Sequence, residues 1–179
     1  SLESQGEFLF KNRGFIPLLF IVFSIPVSYF NSFEYLVKFE TVECTVFYSS
    51  IAFIVLGHFI RAQVILARND ATSGRNRNEQ VADSLNTKGW YSIVRNPLYL
   101  ANFLIWFGLS LYLFSLWLCL ILILMFWIYY ERIVFAEEAF LSKKFGDSYT
   151  EWCNATPVFV PKLTGYVPVK YKLSISKVV

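Results

Sequence analysis

RNPLYLANFLIWFGLSLYLFSLWLCLILILMFWIYYE, residues 95–131, is charged only at its two ends, Arg95 and Glu131. Drawn as one helix, the uncharged run from Asn96 to Tyr130 would rise about 50 Å, against a bilayer hydrocarbon core of about 30 Å. The run therefore reads as a tight helical hairpin turning near Gly108 to Ser115. Both of its polar ends then lie on one side of a membrane.

The whole chain agrees with that reading. Of its 179 residues 56% are hydrophobic, 20% aromatic and only 16% charged, too apolar and aromatic for an ordinary soluble domain. The formal charge of +3 sits in polar segments around the apolar runs and carries orientation information rather than a nucleic-acid footprint. Cys44, Cys119 and Cys153 lack CxxC spacing, and His58 is the sole histidine; this excludes a disulfide framework or zinc site, and no metal is expected.

Two further apolar runs precede the hairpin. Gly14 to Phe30 follows Lys11 and Arg13, but Pro17, Pro26 and the lack of a small-x-small cleavage pattern favour a retained first span over a signal peptide. Val42 to Leu66 reads as a second, longer helix with His58 and Arg61 one turn apart near its inner end. The expectation is one all-α membrane domain over residues 1–179, a bundle of about four transmembrane helices (14–30, 42–66, 97–112 and 115–132) with cytosolic polar segments, 68–99 and 131–161, forming a cofactor pocket.

Basic residues orient the bundle. Lys11 and Arg13 precede the first span, whereas Asn31 to Glu43 holds Glu34, Glu40 and Glu43 against Lys38 alone. Arg68, Arg75, Arg77, Lys88 and Arg95 crowd the connection between spans two and three, and Arg132, Lys143 and Lys144 follow span four. The positive-inside tendency places both termini and the polar segments in the cytoplasm. Lys162, Lys170, Lys172 and Lys177 in the tail suit the anionic cytoplasmic leaflet.

Chemistry concentrates at the two ends of the hairpin. The segment Arg68 to Asn96 is long for a linker, with turn chemistry at Asn69 to Asn76 and a short helix expected over Glu79 to Leu85. In Arg95-Asn96-Pro97-Leu98-Tyr99, Asn suits an N-cap and Pro the first helical position, so a helix begins there with unpaired N–H groups that attract an anion. Arg95 stands beside that end, and Tyr99 and Asn102 share a face. After the hairpin, Glu131, Glu137 and Glu138 continue the helix, with Glu131/Glu138 and Glu137/Lys144 each on nearly one face. Phe145-Gly146 closes it, Gly146 serving as the C-terminal cap behind Lys143 and Lys144. Carboxylates so near a membrane are functional candidates, although a solvated juxtamembrane helix carries the same pattern.

Gly89-x-Tyr91-x3-Arg95-Asn96-Pro97-x-Tyr99, the uncharged hairpin, Glu137-Glu138-x2-Leu141-x3-Phe145-Gly146-x2-Tyr149-x2-Trp152 and the closing Val160-Pro161 together resemble the isoprenylcysteine carboxyl methyltransferase and phospholipid methyltransferase superfamily of integral membrane enzymes. The resemblance covers about Arg61 to Pro161. It implies a helical enzyme that binds S-adenosylmethionine in a cytosolic pocket and takes a membrane lipid or lipidated acceptor from the bilayer. Asn96, where the prenylcysteine enzymes often carry His, is similar to the phospholipid-acting branch. On this resemblance Tyr91, Arg95, Asn96, Pro97, Tyr99, Glu137 and Glu138 form the cofactor site. Lys144, Arg75 and Arg61 remain to orient an anionic acceptor, a carboxylate or phosphate oxygen that needs no general base.

Three alternatives stand beside this reading. His58 is either a general base for an amine acceptor, as in a phosphatidylethanolamine-type N-methyltransferase, or a hydrogen-bonded residue between helices. A non-catalytic scaffold or transporter component explains the hydrophobicity equally, but not the clustering of polar motifs at both hairpin ends. Cys44 and Cys119 read as packing residues.

Overall fold

The computed structural model describes residues 2–14, 18, 22, 25–26, 40–67, 82 and 84–169. Its named elements are α1 (Leu2–Lys11), α2 (Glu40–Ala67), a 3-10 turn at Trp90–Ser92, α3 (Pro97–Tyr112), α4 (Leu116–Phe145) and α5 (Asp147–Ala155). Among the described residues there is no β-strand; an isolated bridge joins Gly89 and Val167.

The hairpin forms as its sequence dictates, and it turns at the end of the expected Gly108 to Ser115. The chain reverses over Leu113 to Ser115, and Ser115 caps α4 by accepting a hydrogen bond from Leu118 N at 3.3 Å. Gly108 lies inside α3. A Cβ there would stand 2.7 Å from the Ser50 carbonyl oxygen, and one on Gly57 would stand 2.7 Å from that of Ala101. These glycines mark the line along which α2 and α3 touch backbone to backbone, the small-residue contact that joins apolar helices where lipid supplies no hydrophobic drive. Ile60, Val64 and Ala101 continue the seam. Ser50 and Ser110 sit within it and hydrogen-bond back to Phe47 O and Phe107 O of their own helices, so neither hydroxyl is left unsatisfied among apolar neighbours.

α2 from Val42 to Ala67 and α4 from Leu116 to Phe145 are long and apolar enough to cross a bilayer; α3, with 16 residues, is a shorter apolar helix. Their outer faces expose Val55, Phe59, Trp117, Leu124 and Trp127, far more contiguous apolar surface than water tolerates. The expected span over 14–30 and the helix over Glu79 to Leu85 lie mostly outside the described residues; at the end of the latter, Ser84 and Leu85 are not helical.

α4 continues past the expected span end at 132 to the expected stop at Phe145, where Gly146, at φ 52°, returns its N–H to Ser142 O at 3.0 Å. α1, which the apolar runs did not suggest, lies against this extension. A Cβ on Gly6 would collide with Arg132 O and Ala136 Cβ, while Arg132 Nε donates to Gln5 Oε1 at 3.0 Å. The signal was present in the spacing of Gly6, Phe10 and Arg13, one helical face apart by four and three residues.

Candidate functional site

The polar ends of α3 and α4 meet at the mouth of the hairpin. Arg95 and Asn96 immediately precede Pro97, so their direction is set by the first turn of α3; Glu137 and Glu138 project from the extension of α4. Arg95 Nη1 donates to Glu138 Oε2 at 3.2 Å and lies 3.2 Å from Oε1. Both side chains are largely covered, at 16% and 28% exposure. Even so, Arg95 Nε and Glu138 Oε1 have no hydrogen-bond partner among the described residues. A buried pair with an unused donor on one member and an unused acceptor on the other is costly unless something further binds.

A strap from Thr156 to Val169 closes one side of this pair. Pro157 O accepts from Arg95 N at 2.8 Å, Ile93 O accepts from Lys162 N at 3.0 Å, and Gly89 N donates to Val167 O at 2.8 Å. Asn96 sits at the N-cap position of α3, but its side chain makes no cap. Its amide instead donates to Val158 O at 3.3 Å and hydrogen-bonds Glu138. The expected capping role is corrected: the strap and the carboxylate compete successfully for the amide, leaving the first N–H groups of α3 without it.

Glu137 and Glu138 face different partners, as adjacent helical positions must. Glu137 is hydrogen-bonded by the Tyr99 hydroxyl. The Tyr99 ring lies 4.6 Å, centroid to centroid, from Tyr130, whose hydroxyl accepts from Asn102 Nδ2 at 3.3 Å. Asn102 Oδ1 in turn accepts from Arg61 Nη1 at 2.7 Å. A polar chain Arg61, Asn102, Tyr130 thus crosses from α2 through α3 to α4, about two helical turns deeper than the Arg95–Glu138 pair. Behind the pair, Tyr149 and Cys153 of α5 stand beside Arg95. Burial raises the Tyr149 phenol well above its ordinary pKa, and Cys153 and Glu138 add to this, so it stays protonated.

The remaining candidates fall elsewhere. Tyr91 contributes its backbone oxygen to Trp152 Nε1 at 2.9 Å and lines a separate cavity of about 180 Å³ with Val64, Thr87, Trp90 and Val169. Lys144 is exposed in the last turn of α4, its ammonium 5.9 Å from the Phe140 ring centroid. Among the described residues no hydrogen bond or ion pair joins it to Glu138 or Arg95. Arg75 lies outside the described residues. His58 is exposed on α2, and no hydrogen bond to another helix holds it among the described residues, which corrects the interhelical reading. Pro97 is buried at the first position of α3. Sequence reasoning missed Tyr130, whose place depends on contacts between distant elements.

Two helices long and apolar enough to cross a bilayer, with a charged, strap-covered hairpin mouth, define a membrane protein. The phospholipid methyltransferase family model matches residues 45–148, spanning α2 from Thr45 onward and the whole of α3 and of α4 with its carboxylates, and the chain belongs to that family. It is similar to the cobalt-zinc-cadmium resistance protein CzcN of Cupriavidus metallidurans, at 36% identity over 52% of this chain and 41% of that one. It is similar also to the protein-S-isoprenylcysteine O-methyltransferase of Schizosaccharomyces pombe, at 28% identity over 63% and 48%. A third relative is the nickel-cobalt-cadmium resistance protein NccN of Alcaligenes xylosoxydans xylosoxydans, at 36% over 51% and 40%. The chain matches less than half the length of each of these relatives.

Proposed function

We propose that this chain is a membrane methyltransferase that binds S-adenosylmethionine at the cytoplasmic mouth of the α3–α4 hairpin and methylates an anionic oxygen, carboxylate or phosphate, of a membrane lipid or lipidated acceptor. The observation that carries the reading is the Arg95–Glu138 pair, with its unused Nε donor and Oε1 acceptor, set beside a helix start that Asn96 leaves uncapped. That donor set fits an amino-acid zwitterion such as the cofactor's methionine end. Arg95 and the first N–H groups of α3 suit its carboxylate, and Glu138, steadied by Asn96, suits its ammonium. When bound, S-adenosylmethionine supplies an electrophilic methyl group on a sulfonium, which an anionic oxygen displaces in line, leaving a thioether and no proton to move.

The chain's own residues have the rest to do. The strap shields the charged pair from water, which strengthens its electrostatics. Arg61, held by Asn102, steers an anionic group toward the mouth from the α2 side. Pro97 fixes the direction in which α3 starts, and Tyr99 holds Glu137. Positioning of this kind suffices for a displacement that needs no covalent enzyme intermediate. The family of lipid-linked enzymes and the apolar outer faces of α2 and α4 support delivery of the acceptor from within the bilayer.

One observation favours a second reading. Glu137, half-buried and hydrogen-bonded by Tyr99, is a better-placed base than the exposed His58, and an amine acceptor requires a base. The test is calorimetric titration of the protein in detergent with S-adenosylmethionine, then mass spectrometry of membrane lipids labelled from methyl-deuterated cofactor. Binding and a deuterated methyl ester are expected. A label on nitrogen decides for the amine reading, and no binding by folded protein removes both.

A further inference from the structure

The strap from Thr156 to Val169 turns apolar side chains outward. Thr156 is 3% exposed, whereas Val160 is 79% and Leu163 96% exposed, with Tyr166 and Val167 near half. Backbone ties fix this direction: Pro157 O, Lys162 N and Val167 O are bonded to Arg95 N, Ile93 O and Gly89 N, and Val167 N donates to Ser92 Oγ at 2.9 Å. Charge is withdrawn from the same crest. Lys162 is the one charged residue between Thr156 and Val169, and its ammonium folds back to donate to Ala155 O.

Scattered exposed apolar residues are ordinary on a soluble surface; the level this strap reaches is not. Phe159, next to Val160, meets Phe126 of α4 edge to face, with ring centroids 6.3 Å apart and planes at 66°. Phe126 also lies 4.7 Å, centroid to centroid, from Phe103 of α3. It is ten residues from the start of α4 at Leu116 and so about 15 Å along it, well inside a hydrocarbon core of about 30 Å. On either side of it Met125 and Trp127 are exposed. The strap therefore continues the apolar outer face of α4 that the bilayer covers.

We propose that the strap is a membrane-inserted loop, with Phe159, Val160 and Leu163 among the acyl chains of the leaflet at the hairpin mouth and Tyr166 at the headgroup level that suits an amphipathic ring. Its partner is the lipid bilayer. The same strap holds Arg95 N through Pro157 O and the Asn96 amide through Val158 O, so contact with the leaflet bears directly on the charged mouth. The insertion stands whether or not that mouth transfers methyl groups.

The experiment places single cysteines at Val160, at Leu163 and, as the aqueous control, at Glu151 on the exposed side of α5, in a chain with Cys44, Cys119 and Cys153 replaced by serine. Each is labelled with a nitrobenzoxadiazole fluorophore, and the protein is held in phosphatidylcholine nanodiscs, where both faces meet solvent. Labels at 160 and 163 are expected to emit to the blue of the label at 151, to be quenched by phosphatidylcholine carrying a doxyl group on its acyl chain, and to be shielded from iodide. In the chain with its own cysteines, Leu163→p-benzoylphenylalanine is expected to photo-crosslink to phosphatidylcholine; at 96% exposure this side chain makes no packing that the change could break. The proposal is overturned if iodide reaches 163 as freely as 151. It is overturned equally if 163 is shielded from iodide and doxyl lipid alike, or crosslinks to protein alone, because another part of this chain or a second copy then covers the strap.

Discussion

Asn96 shows how far a single residue was legible. Its place before Pro97 marks the start of α3, and the helix does begin there. Its side chain, however, turns to Val158 O, sixty-two residues away in sequence, and no local pattern encodes that choice. The paired carboxylates behave similarly: adjacency in a helix requires that they diverge, but only the fold assigns Glu138 to Arg95 and Glu137 to Tyr99. Glu138→Gln is therefore expected to weaken S-adenosylmethionine at least about tenfold, since it removes a charge-assisted bond worth roughly 1.5–3 kcal/mol. Glu137→Gln is expected to hold cofactor affinity within about threefold, given its different partner. Calorimetry on both variants checks this, and equal losses would count against the assignment of Glu138 to the cofactor. His58→Phe is expected to retain most turnover, because the imidazole is exposed and far in character from the buried polar chain; loss of activity in folded protein would restore the histidine as a base.

Helices came through the sequence better than their contacts. The hairpin, the extent of α2 and the stop at Gly146 followed from runs of apolar residues and from cap chemistry. The turn falls within the expected Gly108 to Ser115, although its left-handed residue is Phe114, at φ 50°, where no glycine announces it. Gly108, which invites a turn reading, is instead the place where α3 presses on α2. Gly57→Leu and Gly108→Leu are each expected to destabilise the protein by about 1–3 kcal/mol or more, the range for overpacking a close contact, because the nearest obstacles include backbone. Gly146→Ala meets no atom within 4 Å and is expected to cost only backbone strain of about 1–3 kcal/mol, since φ 52° with ψ −125° suits glycine. Ser115→Ala removes the cap of α4 and is expected to cost about 1 kcal/mol. Thermal unfolding in detergent, monitored by circular dichroism, orders these variants; a Gly146→Ala loss larger than that of Gly57→Leu would contradict the proposed seam.

For the molecule as a whole, length decides where the chemistry lies. α4 has 30 residues and rises about 45 Å, so a core of about 30 Å leaves roughly its last ten residues, including Glu137 and Glu138, beyond the hydrocarbon. The same end carries Arg95, Lys143 and Lys144, and the opposite end, Tyr112 to Trp117, carries no charge. The positive-inside tendency then predicts the mouth in the cytoplasm and the turn on the far side. Single cysteines at Ser142, exposed near the mouth, and at Tyr112, 49% exposed at the tip, in a chain with Cys44, Cys119 and Cys153 replaced by serine, test that arrangement. A membrane-impermeant maleimide added to intact cells is expected to label position 112 alone and to reach position 142 only after the membrane is opened. Labelling of both from one side would place the hairpin along the membrane surface, and then α4 would have no reason to separate about four uncharged turns of apolar surface from the carboxylates at its end.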